Sequence, residues 1–218
     1  MSQATTTARV VDVGPKSRKA ALSPAGALCA LGGLVLAVGA IATQIIQLST
    51  SVSDQLWHYP WTSHTAVIAW SLFGTMESLV LVGVLAWGRS GATGSGRPAR
   101  IGIPLAALGT LCIIAGHFAS IPVRNQTIHD TGPEIVGAIF GIGTLLTAAG
   151  FLMAGWATVS AGVWRDWWRF VPLAIGVVTV ALGGLQFTEA LPVGVAVYSL
   201  GLVALGIALM LDQRTDRR

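Results

Sequence analysis

Six stretches of this chain, roughly 24–48, 66–88, 101–122, 134–160, 171–187 and 193–211, run about 20 residues almost without charge. That length of apolar helix is what the hydrocarbon core of a bilayer requires, about 20 residues at 1.5 Å each. A bilayer core has no water to satisfy backbone N–H and C=O groups, so each stretch must close its hydrogen bonds internally as a helix. Only 10% of the 218 residues are charged, against about 25% in a soluble domain. The sequence therefore predicts an all-α fold: a polytopic bundle of six transmembrane helices at 24–211, between a basic N-terminal tail (1–23), read as disordered, and a short C-terminal tail (212–218). The fifth stretch is short, and a tilted or recessed helix is expected there.

Orientation follows from the basic residues. Arg9, Lys16, Arg18 and Lys19 precede the first span. Arg89, Arg97 and Arg100 separate the second from the third, Arg165 and Arg169 the fourth from the fifth, and Arg214, Arg217 and Arg218 end the chain. Of the 13 lysines and arginines, all but Arg124 fall on one side. Loops rich in Lys and Arg stay in the cytoplasm, so both termini are expected inside a plasma membrane, in a chain whose composition reads as bacterial. The first apolar run is longer than a signal-peptide core of about 7–15 residues, so it is read as an uncleaved span. Although the pI is near 9.7, the basic residues mark loops rather than a continuous stripe, which describes topology and excludes nucleic acid as a partner. GRSGATGSGRPAR (88–100) reads as a flexible Gly/Ser linker, and Trp164, Trp167 and Trp168 in VWRDWWRF (163–170) as interfacial anchors.

Glycines recur seven residues apart: Gly26 and Gly33, Gly32 and Gly39, Gly109 and Gly116, Gly194 and Gly201. Small residues let helices approach where lipid supplies no hydrophobic drive, so these predict packing within the bundle. GAIFG (Gly137, Gly141) offers a second use, a homo-oligomer through a small-residue face. FGTMESLVLVGVL (73–85) and FGIGTLLTAAGFL (140–152) match at Phe, Gly, Leu, Gly and Leu, with a looser echo in YSLGLVALG (198–206). Three related helical hairpins are the expectation. Cys29 and Cys112 are unmatched in depth and read as packing residues rather than a disulfide.

With this topology the stretch SVSDQLWHYPWTSH (51–64) becomes the first outer loop, and all 4 histidines fall at or near the outer face. His58 and His64 lie in that loop, His117 near the outer end of the third span, and His129 just before the fourth. Asp54, Asp130, Glu134 and Glu189 join them, with Gln44, Gln47 and Gln186 nearby. Imidazoles and carboxylates on one face suit a transition metal or a proton sensor. His58, His117 and His129 are the metal candidates, and no motif calls for any other cofactor. No HExxH or i, i+4 His pair is present, so such a site would have to assemble over long range. The bland reading stands beside it: Trp57, Tyr59 and Trp61 as an aromatic belt, Thr131 capping the fourth helix with Glu134 three residues on, and His129 and Asp130 simply solvated. Asn125–Thr127 is an N-glycosylation sequon on that side, incidental in a bacterial chain. Glu77 is the one acid deep in a span. A charge there costs about 2.5–3.5 kcal/mol on insertion scales, which makes an intramembrane carboxylate a functional candidate by default.

The only lysines, Lys16 and Lys19, lie outside the spans, so a retinal Schiff base is excluded. A haem held by two histidines needs them at matched depth, and GATGSG (91–96) sits in too short a loop to cradle a phosphate. TIHDTGPEIVGAIFGIG (127–143) and the turn WRDWWRFVPLAIGV (164–177) resemble a family of small six-span prokaryotic membrane proteins catalogued as a domain of unknown function. The resemblance spans all six helices, though SDQLWHYPW (53–61) departs from it, and it implies a fold without implying an activity. The leading expectation is a non-catalytic component that binds or senses at its outer face through Asp54, His58, His64, His117, His129, Asp130 and Glu134. A small proton-coupled transporter using Glu77 comes second, and a membrane enzyme using outer Asp and His residues third.

Overall fold

The computed structural model describes residues 23–186 and 188–212, so the expected N-terminal tail and most of the C-terminal one lie outside the described residues. Six helices are long and apolar enough to cross a membrane, and no strand forms among the described residues. They are α1 (Pro24–Gln47), α2 (Ser63–Arg89), α3 (Arg97–Val123), α4 (Thr131–Ala161), α5 (Val171–Leu185, preceded by a 3-10 turn at Asp166–Phe170) and α6 (Leu191–Leu211). This is the fold of a multi-pass membrane protein. The helices close into a ring in which each packs on its chain neighbours and α1 packs on α6, with α2 also touching α6. One end of the ring carries the segments 48–62 and 124–130 with Gln186 and 188–190. The other carries 90–96, Trp164 and Asp212, and we call these the histidine end and the arginine end.

Glycine sets the helix spacing, one seam per heptad pair. Gly26 and Gly33 lie against α6, Gly32 and Gly39 against α2, Gly109 and Gly116 against α4, and Gly194 and Gly201 against α5. A Cβ on Gly33 would fall 2.8 Å from the Ser199 carbonyl oxygen, and one on Gly102 2.9 Å from that of Gly150. Backbones this close leave no room for a methyl group, which is how small residues replace hydrophobic drive inside lipid. In GAIFG, by contrast, nothing lies within 4 Å of the Gly141 position, and Gly137 meets only the Trp57 ring edge at 3.9 Å.

The contacts repeat between the first two hairpins. Phe73 of α2 covers Gly39 of α1 as Phe140 of α4 covers Gly116 of α3. Gly83 meets Cys29 as Gly150 meets Ala106, and Gly32 meets Met76 as Gly109 meets Gly143. Gly206 of α6 instead faces Gly26 and Ala30 of α1.

Several expectations need correcting. Helix α4 begins at Thr131, so Asp130 holds the N-cap position; no side chain makes the cap bond, and Thr131 with Glu134 does not form a capping box. The Asp130 carboxylate is already engaged, its Oδ2 accepting from the Thr127 amide at 2.7 Å. The linker shrinks to 90–96 because α2 runs to Arg89 and α3 starts at Arg97. Within it Ala92 and Thr93 are buried, and the Ala92 amide donates to Ser90 Oγ, so it packs back rather than hanging free. Trp164 is buried too, its Nε1 donating to Asp212 Oδ2 at 2.9 Å, while Trp167 stays exposed and stacks on Trp168. Both cysteines are free. As its short apolar run suggested, α5 has only 15 residues, and the Gln186 side chain that ends it donates to Thr144 Oγ1 at 3.1 Å, well inside α4.

Candidate functional site

The histidine end answers why one loop holds so many aromatic and polar residues: segment 48–62 docks onto 124–130. The Trp57 amide donates to the Gln126 carbonyl at 3.0 Å and the Ile128 amide to that of Gln55 at 2.9 Å, which closes an antiparallel bridge between Leu56 and Thr127. His58 is buried, and its Nδ1–H donates to the Arg124 carbonyl at 2.7 Å. That oxygen belongs to the C-cap of α3, one of the carbonyls a helix end leaves without a partner. Ser63 Oγ donates to Asn125 Oδ1 at 2.6 Å and accepts from Arg124 Nε at 3.1 Å, while Arg124 Nη1 donates to the Ile121 carbonyl. Arg124, the one basic residue out of line with the charge pattern, is thus a clamp between the loops and a cation at the negative end of α3.

Docking leaves the outer histidines in different surroundings. His58 faces the Arg124 carbonyl, and His64 and His129 are exposed. The His117 ring lies edge-on between Phe73 and Phe140, with centroids 5.8 and 5.1 Å away, and its Nδ1 has no hydrogen-bond partner. Asp54, Asp130 and Glu134 are exposed on the docked loops and the first turn of α4. Among the described residues, no three His, Cys, Asp or Glu side chains come together in a group that could hold a metal ion.

The bundle interior holds the more unusual chemistry. Glu77 stands 14 residues into the 27-residue α2 and is 5% exposed, and its Oε2 has no hydrogen-bond partner. At about 21 Å along a helix of about 40 Å, it is a mid-membrane carboxyl group. Tyr198 of α6 is 4% exposed with its hydroxyl also unpartnered, and it lies within electrostatic reach of Glu77 and Cys29. The Cys29 thiol donates to the Leu202 carbonyl at 3.6 Å. Further toward the arginine end, Trp87 stacks on Phe151 across the ring at 5.3 Å, fully buried, with its indole N–H unpartnered. Sequence reasoning singled out Glu77 and passed over Tyr198. The signal was there: Tyr198 is the sole titratable residue of α6.

Compared with protein-family models, with curated proteins and with solved structures, the chain matches none.

Proposed function

We propose that the chain is a bacterial plasma-membrane protein with both termini in the cytoplasm, and that it works as a small proton-coupled transporter in which Glu77 binds and releases the proton. The observation that carries this reading is Glu77 itself, 5% exposed at the middle of α2 with an unpartnered carboxyl oxygen. An unpaired buried polar group costs about 1–3 kcal/mol, more if charged, so a fold that keeps one in its core has a use for it. The shared contacts of α1–α2 and α3–α4 support related hairpins arranged about an axis along the membrane normal, a plan found among transporters. Kinship with the six-span family that residues 127–143 and 164–177 resemble is part of the same proposal. So is a homo-oligomer through the open Gly141 face.

The test is proton flux into liposomes containing the purified protein, driven by a pH gradient and read by an enclosed pH dye. Glu77→Gln should abolish the protein-dependent flux and Glu77→Asp should keep part of it; equal flux from wild type and Glu77→Gln sinks the reading. Orientation is tested in cells with single cysteines in a Cys29→Ala, Cys112→Ala background. A membrane-impermeant maleimide should label Gln55→Cys and leave Ser95→Cys untouched.

A second reading, binding or sensing at the outer face, is favoured by the joining of two loops into one surface that exposes Asp54, His64, His129, Asp130 and Glu134. Elemental analysis for zinc, copper, iron and manganese, with and without His64→Ala and His129→Ala, tests it. Stoichiometric metal lost in the double variant would displace the transport reading. The membrane-enzyme reading gains less, because His58 and Asp130 are both engaged by backbone groups.

A further inference from the structure

Helix α1 presents Gly32 to α2 and the adjacent Gly33 to α6. A Cβ at Gly32 would stand 2.7 Å from the Met76 carbonyl oxygen, and one at Gly33 2.8 Å from that of Ser199. Glu77 follows Met76 and Tyr198 precedes Ser199, so the two glycines bring both side chains to one level of the bundle. Helices α2 and α6 also touch directly. Glu77 Oε2 is an acceptor without a donor, and the Tyr198 hydroxyl is a donor without an acceptor. Both are more than nine-tenths buried and within electrostatic reach of each other.

We propose that Glu77 and Tyr198 form one proton-exchange site, in which the phenol of α6 donates a hydrogen bond to the Glu77 carboxylate whenever the carboxyl proton has left for water. Protonation of Glu77 removes the negative charge and weakens that bond, so the proton is coupled to the seating of α6 against α2. This inference rests on the transport reading only for its purpose, and the pair itself is tested separately. A hydrogen bond to an ionised group is the strong kind, and low dielectric strengthens it further. Few other groups compete. On α1 the only titratable side chain is Cys29, held by the Leu202 carbonyl, and α6 offers Tyr198 alone. On α3 the facing group is His117, against Gly74 one turn away from Glu77. At the position equivalent to Glu77 in the second hairpin stands Thr144, already bonded by Gln186.

The chain has 2 tyrosines, which makes the test direct. Protein labelled with 13C at the phenol carbon of tyrosine is followed by NMR in detergent across the pH range, with Tyr59→Phe and Tyr198→Phe to assign the two signals. The expected result is a Tyr198 resonance that moves along one titration curve in wild type and Glu77→Asp and stands still in Glu77→Gln. A Tyr198 resonance stationary in wild type overturns the proposal, as does one that moves identically in Glu77→Gln. Glu77→Gln is an isostere, and an unchanged gel-filtration profile shows that it folds. If that variant retains proton flux while Tyr198 loses its pH response, the transport reading fails and the pair stands. The reverse result sinks the pair alone.

Discussion

Gly109→Ala isolates the principle that spaces this bundle. Gly109 lies on the seam between α3 and α4, where an added Cβ would sit 2.7 Å from the Gly143 carbonyl oxygen and against the Thr147 amide. Ordinary contact begins at 3.4 Å, so the two backbones must part by about 0.7 Å for the carbonyl alone and by more for the Thr147 amide. Those two obstacles are backbone and cannot swing aside, and Thr147 Oγ1 crowds the same point. Overpacking of this kind costs about 1–3 kcal/mol, against which alanine returns about 0.5–1 kcal/mol of helix propensity over glycine. The net expectation is a loss of about 1–2 kcal/mol. Gly141→Ala provides the contrast: with nothing within 4 Å, only the propensity gain remains, and stability should rise by about 0.5 kcal/mol. Thermal unfolding in detergent can be followed through the buried Cys29 thiol with a fluorogenic maleimide, in a Cys112→Ser background. Should Gly109→Ala unfold at or above the temperature of Gly141→Ala, close backbone approach is not what holds α3 to α4.

Three further outcomes follow from the same contacts. Gly32→Ala, the counterpart of Gly109 in the first hairpin, should lower the unfolding temperature to a similar degree; a silent substitution would undo the equivalence of the two hairpins. His58→Phe removes the donor to the Arg124 carbonyl and should cost about 1 kcal/mol, with faster hydrogen exchange at the Trp57 and Ile128 amides; unchanged exchange would mean the latch does not hold the loops. Asp212→Leu should cost about 1 kcal/mol by stranding the Trp164 indole N–H and shift tryptophan fluorescence, whereas an unmoved spectrum would deny Trp164 its role as a pin.

The apolar runs made the six helices legible because the bilayer permits one backbone solution per run. Heptad glycines announced close packing, yet only the folded bundle shows that each pair serves a different seam. The outer residues were ambiguous for a physical reason. A histidine in a loop looks alike whether it binds a ligand or satisfies a helix-end carbonyl, and His58 does the second because Arg124 ends α3 beside it. The Thr131–Glu134 spacing imitated a capping box, while the chain turned helical one residue early and left Asp130 at the cap. Glu77 could be found as a lone acid in an oily run. Tyr198 could not be paired with it, since their juxtaposition depends on two adjacent glycines of a third helix.

The make-up of the fifth span has a consequence for the membrane itself. Its 15 α-helical residues from Val171 to Leu185 cover about 22 Å, and the 5-residue 3-10 turn Asp166–Phe170 ahead of them adds about 10 Å at about 2 Å per residue. Only together do they match a hydrocarbon core of about 30 Å. The Gln186 side chain at the far end is tied to Thr144 of α4, so the span cannot slide toward one leaflet. A thicker bilayer would have to thin locally around it, at a fraction of a kcal/mol per Å. Thin membranes should hold this protein more comfortably than thick ones.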